Sequence, residues 1–142
     1  MIVVDANVML SALRSSNGAS HYLLRQMLGG TIAFAISPAV ALEYEDVLKR
    51  PKILGSDPWI SHGEIDIVLD AVFSRANLIS PWFRFRPFLD DPKDDLYIEC
   101  ALAAGADTIV TRDKHFRHPA VEAFGIIVSG AGEFVARHEG RK

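Results

Sequence analysis

The chain opens on a short apolar, β-branched run, Met1 to Val4, which Asp5-Ala6-Asn7 interrupts. A run with no polar alternation reads as a strand buried on both faces. The spacing after it predicts a helix from Val8 to Leu28, loosened at Ser15 to Gly18, with Tyr22, Leu23 and Leu28 as an apolar stripe in its second half. Gly29-Gly30 stops that helix, and Thr31 to Ile36 is a second apolar strand. Ser37-Pro38 is a helix start, serine at the N-cap and proline in the first turn. The helix runs to Lys49, before Pro51, and Lys49 and Arg50 suit its negative end.

Ile53 to Trp59 reads as an irregular connection. Ser61 to Ala76 is a further helix with Ile65, Val68, Leu69 and Val72 on one side, and Ala76 to Ser80 a short strand. Trp82 to Phe88 alternates basic and aromatic residues and fits neither period. Asp91-Pro92 repeats the start signal for a helix over Pro92 to Ala104, which Gly105 ends. Thr108 to Thr111 is a strand, Lys114 to His118 a short helix or turn, Val121 to Phe124 helical, and Ile126 to Ser129 the last strand. Apolar strands alternating with helices predict an α/β domain: a three-layer α/β/α sandwich around a central, mostly parallel sheet. Residues 1–136 read as one domain and 137–142 as a loose polar tail.

Composition narrows the function without naming it. The net charge of −3 excludes a protein that coats nucleic acid through bulk electrostatics, so a nucleic-acid surface would have to be local. The single cysteine, Cys100, allows no intrachain disulfide and fits a reducing cytosol. No signal peptide opens the chain, and the uncharged stretch Gln26 to Leu42 is broken by Gly29-Gly30 and Pro38, which argues against a membrane span. A cytoplasmic protein is expected.

The acidic residues carry the chemistry. Ligands bind beyond the carboxyl ends of parallel strands. Asp5 follows the first strand there, and Asp113 follows Thr108 to Thr111. Either one alone reads equally well as a turn or cap residue. Asp94 is more telling. At about 100° per residue it shares a face with Tyr97, Ile98 and Ala101, the side that packs on the sheet. A carboxylate there costs several kcal/mol, roughly, unless something compensates. Asp95 lies toward the edge of the same face, and Asp91 is explained as an N-cap. Glu43 sits at the margin of an apolar side formed by Val40, Tyr44, Val47 and Leu48, while Glu45 and Asp46 read as solvated. Glu43 can lean over the same sheet edge, or pair as a boundary acid with an arginine such as Arg112. Carboxylates brought together repel unless protonated or bridged by a cation. Oxygen ligands with few other donors suit Mg²⁺ or Mn²⁺. One cysteine and five scattered histidines give no zinc pattern; His115 and His118, near Asp113, are the one suggestive pair and read as surface or phosphate-contact residues ahead of metal ligands.

Four segments together resemble a known family, the PIN-domain ribonucleases, and within it the VapC-like toxins of bacterial and archaeal toxin–antitoxin pairs. They are Val3-Val4-Asp5-Ala6-Asn7-Val8 with Ser11-Ala12; Ser37-Pro38 through Glu43 to Arg50-Pro51; Asp91-Pro92-Lys93-Asp94-Asp95 with Ala101 and Ala104-Gly105-Ala106-Asp107; and Ile109-Val110-Thr111-Arg112-Asp113. Each is weak alone; four in order over residues 1 to about 130 are specific. The resemblance implies that Asp5, Glu43, Asp94 and Asp113 form an acidic quartet binding Mg²⁺ or Mn²⁺, with Asp95 as the alternative to Asp94. It implies supporting roles for Asn7 and Thr111, with Ser11 helping to position the first-motif loop.

The implied reaction is metal-dependent hydrolysis of an RNA phosphodiester, with Asp5, Asp94 and Asp113 as ligands and Glu43 orienting water. Arg112, Lys114, His115, Arg117 and His118 flank Asp113 as phosphate contacts. Arg84 and Arg86, interleaved with Trp82, Phe83 and Phe85, would grip phosphate and stack bases, or else those aromatics belong to the core or a subunit contact. Two rival classes stand beside this. One is aspartyl-phosphate chemistry, which needs an acid where Asn7 stands; the other is a PIN-like module that binds without catalysis. The resemblance also implies a small antitoxin that occludes the acidic edge, and a homodimer.

Overall fold

A computed structural model describes residues 1–50, 53, 60–81 and 92–140. The strands are β1 (Ile2–Val4), β2 (Ala35–Ile36), β3 (Asn77–Leu78), β4 (Thr108–Val110) and β5 (Ile127–Ser129). The helices are α1 (Ala6–Arg14), α2 (Ala19–Leu28), α3 (Pro38–Leu48), α4 (His62–Arg75), α5 (Pro92–Ala104), α6 (Pro119–Ala123) and α7 (Ala131–Gly140), with a 3₁₀ turn at Lys114–Phe116.

Every strand pairing is parallel. β1 pairs with β4 in the register Val4 to Val110, and β4 with β5 in the register Val110 to Ser129. β2 pairs with β3, Ile36 opposite Leu78. A single parallel bridge between Ile2 and Phe34, with the Ile2 N–H donating to Ala33 O at 3.0 Å, joins the two sets. The strand order is therefore β3-β2-β1-β4-β5. The chain leaves β1 in one direction to β2 and β3, then returns to the other side of β1 for β4 and β5. The boundary between β1 and β4 is thus the point where the winding reverses, the place where open α/β sheets open a crevice.

The strands are short because neighbouring turns take their hydrogen bonds. The expected strand Thr31 to Ile36 shrinks to two residues, since the N–H groups of Thr31 and Ile32 both close on Gln26 O at the end of α2. The helix expected over Val8 to Leu28 is two helices. Ser15 to Gly18 leaves the helical path, and the Asn17 N–H turns back to Ser15 Oγ at 3.3 Å. The buried stripe of α2 is Leu23, Leu24 and Met27, with Tyr22 and Leu28 at its margin.

The other helix starts follow their capping chemistry. Ser37 Oγ accepts the Val40 N–H at 3.2 Å with Pro38 in the first turn of α3. Ser61 and Glu64 form a reciprocal capping box on α4. Asp91, read as the cap of α5, lies outside the described residues, as do Trp82 to Phe88.

The core is continuous. It takes Val3, Ile109 and Val110 from the sheet, Val8, Met9 and Leu13 from α1, Val40, Tyr44 and Leu48 from α3, Ile65, Leu69 and Val72 from α4, and Ile98 and Ala101 from α5. α5 packs on β1, β2 and β4 and reaches α3, which brings its acidic first turn toward the β1–β4 boundary. The loose tail expected from Arg137 is instead helical through Gly140: α7 packs on α2, and the Tyr22 hydroxyl donates to Glu139. Phe134 and Val135 lie against the core, an anchor too sparse to stand out among the charges of that segment. No described helix is long and apolar enough to cross a membrane.

Candidate metal centre

β1 ends and α1 begins across one residue, so Asp5 closes the strand and caps the helix at once. Its N–H continues the ladder to Val110 O at 2.9 Å. Its Oδ1 accepts the Asn7 N–H at 3.2 Å, and its Oδ2 accepts the Thr111 hydroxyl at 2.7 Å. The Tyr97 hydroxyl also hydrogen-bonds this carboxylate, while accepting the Ala6 N–H at 3.0 Å. Asp5 is only 5% exposed. Burial pushes its carboxyl above the ordinary aspartate range; the Thr111, Asn7 and Tyr97 bonds pull back, and the Asp113 charge pushes up again. Three donors aimed at one carboxylate still do not offset the loss of water. A nearby cation would.

β4 delivers the second acid by the same logic. The Thr111 N–H bonds Ser129 O at 2.9 Å, fixing Thr111 at the carboxyl edge of the sheet. Its hydroxyl, donating to Asp5, accepts the Asp113 N–H at 3.0 Å. One buried hydroxyl therefore sets the spacing of two acids that lie far apart in sequence. Asp113 caps the 3₁₀ turn: its Oδ1 accepts the His115 N–H at 2.9 Å and lies 3.1 Å from His115 Nδ1.

Asp94 enters from the first turn of α5, buried at 9% exposure. One ligand atom each from Asp94, Asp113 and His115 lie within 4.8 Å of one another. Asp5, Glu43, Asp94 and Asp113 line a single open cleft of about 280 Å³, with Asn7, Tyr97 and Arg50 in its wall. The Tyr97 phenol is driven far above its ordinary range, first by burial and then by the charges of Asp5, Glu43 and Asp94. It keeps its proton and serves as a standing donor to Asp5. Asp95 is buried too, at 5% exposure, but does not line this cleft. Arg112 donates to Ser11 Oγ at 2.8 Å rather than pairing with Glu43.

The donor set fits a divalent cation. Four carboxylates face an open, solvent-reached cleft, with the His115 imidazole near two of them, a chemistry for an octahedral oxygen-preferring ion rather than for a closed thiolate zinc site.

A second groove, about 410 Å³, shares Asn7 and Asp113 with the acidic cleft and is lined further by Ser11, Arg14 and Arg112. Positive charge thus stands directly beside negative. Arg14, which donates twice to Ile53 O at 3.1 and 2.7 Å, was not singled out by the sequence. Lys114 is exposed on the 3₁₀ turn. Arg117 points elsewhere, to Glu133 of α7 at 3.2 Å. His118 caps α6, its Nδ1 accepting the Ala120 N–H at 3.1 Å. Arg84 and Arg86 lie outside the described residues.

One residue lining the cleft was missed in the sequence. Tyr97 reads as one more apolar position; the available signal is that a buried tyrosine needs a hydroxyl partner, and Asp94 precedes it by one turn. His115, read as a surface or phosphate-contact residue, brings a ligand atom within 4.8 Å of those of Asp94 and Asp113.

A family model described as PIN domain matches residues 1–115. Comparison with curated proteins and with solved structures finds no match. The matched span contains all four acids, Tyr97 and His115, and covers most of the chain: the protein belongs to the PIN-domain family, whose members are generally metal-dependent nucleases.

Proposed function

We propose that this chain is a Mg²⁺- or Mn²⁺-dependent endoribonuclease, and the toxin component of a toxin–antitoxin pair. The observation that carries the catalytic half is the convergence of Asp5, Glu43, Asp94 and Asp113 in one cleft at the point where the sheet's winding reverses. Asp5, Asp94 and Asp113 would hold the ion. When bound, it supplies charge that polarises a phosphate oxygen and lowers the pKa of water.

The chain's own residues do the rest. Thr111, Asn7 and Tyr97 fix the Asp5 carboxylate so that it presents its charge without rearranging. Glu43, half-buried at the cleft wall, orients the attacking water and takes its proton. The new P–O bond forms from that water as the bond to the leaving sugar oxygen breaks. Ser11 holds Arg112 over the adjoining groove, where Arg112 and Arg14 neutralise neighbouring phosphates, with exposed Lys114 next to Asp113 adding a further charge. Arg84 and Arg86, outside the described residues, are further candidates for phosphate contact on their basic sequence pattern. Arg117, engaged by Glu133, is left out of this set.

The VapC-like motif spacing supports the toxin half. A small antitoxin would cover the acidic cleft and insert an arginine among its carboxylates. The catalytic domain takes in α7 as well, and two copies pair in the cytoplasm; exposed Leu42 and Leu78 are apolar side chains such a contact would cover. Light scattering that gives a monomer would refute the pairing, and a gene with no small reading frame beside it would count against the antitoxin.

The central test is Mn²⁺-dependent cleavage of defined RNAs by wild type, Asp94→Ala and Asp5→Asn side by side. Both variants are expected to fold and to lose activity by on the order of 100-fold or more. Unchanged cleavage by folded Asp5→Asn protein would sink this reading.

A further inference from the structure

We propose that His115 is itself a metal ligand of this centre and tilts its preference from Mg²⁺ toward Mn²⁺. The inference rests on the metal-dependent reading above and adds to it a nitrogen donor.

The position of His115 is built, not incidental. It sits in the middle of the 3₁₀ turn whose first N–H bonds are gathered by Asp113. The next residue, Phe116, is fully buried and anchors the turn from below. Its ring meets Tyr97 edge-on, centroids 6.0 Å apart at 69°, and the Tyr97 hydroxyl accepts the Ala6 N–H directly after Asp5. The imidazole therefore sits on a turn anchored to the same framework as the acids, while its ring stays 70% exposed.

The spacing suits shared coordination. Adjacent ligands on an octahedral ion with bonds of about 2.1 Å lie about 3.0 Å apart, and opposite ligands about 4.2 Å. His115 Nδ1 and Asp113 Oδ1 are separated by 3.1 Å, and the Asp94, Asp113 and His115 ligand atoms all fall within 4.8 Å of one another. The Asp113–His115 separation is that of adjacent ligands, and a small closing movement of Asp94 onto the ion completes the set. Mg²⁺ takes hard oxygen donors and gains little from imidazole, whereas first-row transition ions gain more along the series that begins with Mn²⁺.

The rival role for His115 is a plain ion pair with Asp113, and it makes the opposite prediction. A protonated imidazole repels a cation, so removing it would tighten metal binding. A ligand removed weakens it. Calorimetric titration of wild type, His115→Ala and His115→Gln with Mn²⁺ and with Mg²⁺ reads this sign. The expected result is a loss of about 10-fold or more in Mn²⁺ affinity with a smaller loss for Mg²⁺. Pulsed electron paramagnetic resonance of the Mn²⁺-loaded protein gives a second readout: ¹⁴N coupling from a bound imidazole in wild type, absent in both variants. No ¹⁴N coupling in a wild type that binds Mn²⁺, or equal or tighter binding by His115→Ala, overturns the ligand role and leaves the nuclease reading standing. A wild type that binds neither ion overturns both.

Discussion

Thr111 is the residue on which the site's geometry turns, and replacing it with valine keeps its shape while removing its hydroxyl. In the wild type that hydroxyl donates to Asp5 Oδ2 at 2.7 Å and accepts the Asp113 N–H at 3.0 Å, with Thr111 only 3% exposed. Thr111→Val takes a donor from a charged, buried carboxylate, a loss of about 1.5–3 kcal/mol, and leaves the Asp113 N–H short of its acceptor, about 1 kcal/mol more. The valine methyl returns part of this through apolar burial, so the expected cost is about 2–3 kcal/mol at neutral pH without metal. The pH dependence carries a sign. Burial already raises the Asp5 pKa, and the Thr111 bond opposes it; removing the bond raises it further. Between the unfolded value near 3.9 and the raised folded value, the folded state holds a proton that the unfolded chain has released, so stability falls as pH rises through that window. The Thr111→Val deficit should therefore open as pH rises past the raised Asp5 pKa of the folded wild type, grow up to the still higher one of the variant, and then level off. Urea unfolding of metal-free wild type, Thr111→Val and Thr111→Ser across that range measures it, with serine retaining the hydroxyl as control. A valine variant whose midpoint matches wild type, or whose deficit is the same at both ends of the range, would falsify the account of Thr111 as the bridge between the two acids.

The other predictions follow from single contacts. Tyr97→Phe strands the Ala6 N–H and should cost about 1–3 kcal/mol in chemical denaturation while weakening Mn²⁺ binding; a neutral outcome would mean that the hydroxyl is dispensable. Mn²⁺ at about 100 times its Kd should stabilise wild type by about 2.7 kcal/mol in thermal melts, and Asp94→Ala should lose most of that gain; equal gains would remove Asp94 from the ligand set. Arg112→Gln should weaken RNA binding and lower the slope of log affinity against log salt by about 0.7, one single-strand phosphate contact; an unchanged slope would place Arg112 away from the strand. Asp95→Asn should retain cleavage where Asp94→Asn loses it, measured on the same RNA, and the reverse result would exchange their roles.

What the sequence made legible, and what it hid, divides along a physical line. Asp94 could be found because it conflicts with its surroundings: a carboxylate on the face that carries Tyr97, Ile98 and Ala101 is costly, and a chain that keeps it there has a use for it. Asp5 and Asp113 followed from strand ends, since β-branched runs mark β1 and β4 and parallel sheets open their crevices at the carboxyl edge. Glu43, at a face margin, created no such conflict and leaned on motif spacing. Where a residue agrees with its surroundings it carries no signal at all. Tyr97 fits an apolar stripe, and its hydroxyl bonds to Ala6 and Asp5 arise only when α5 is laid against β1. His115 fits an exposed turn, and reaches Asp94 only because Asp113 folds that turn back over the sheet edge. The same rule explains α7, whose Phe134 and Val135 were too few to declare a buried face until α2 was there to receive them. The acids that bear the charge are thus readable as exceptions, whereas the residues that hold them in place look ordinary. For this reason the tests that matter most are at Thr111, Tyr97 and His115: each asks whether the geometry, and not the acidic quartet alone, makes the site.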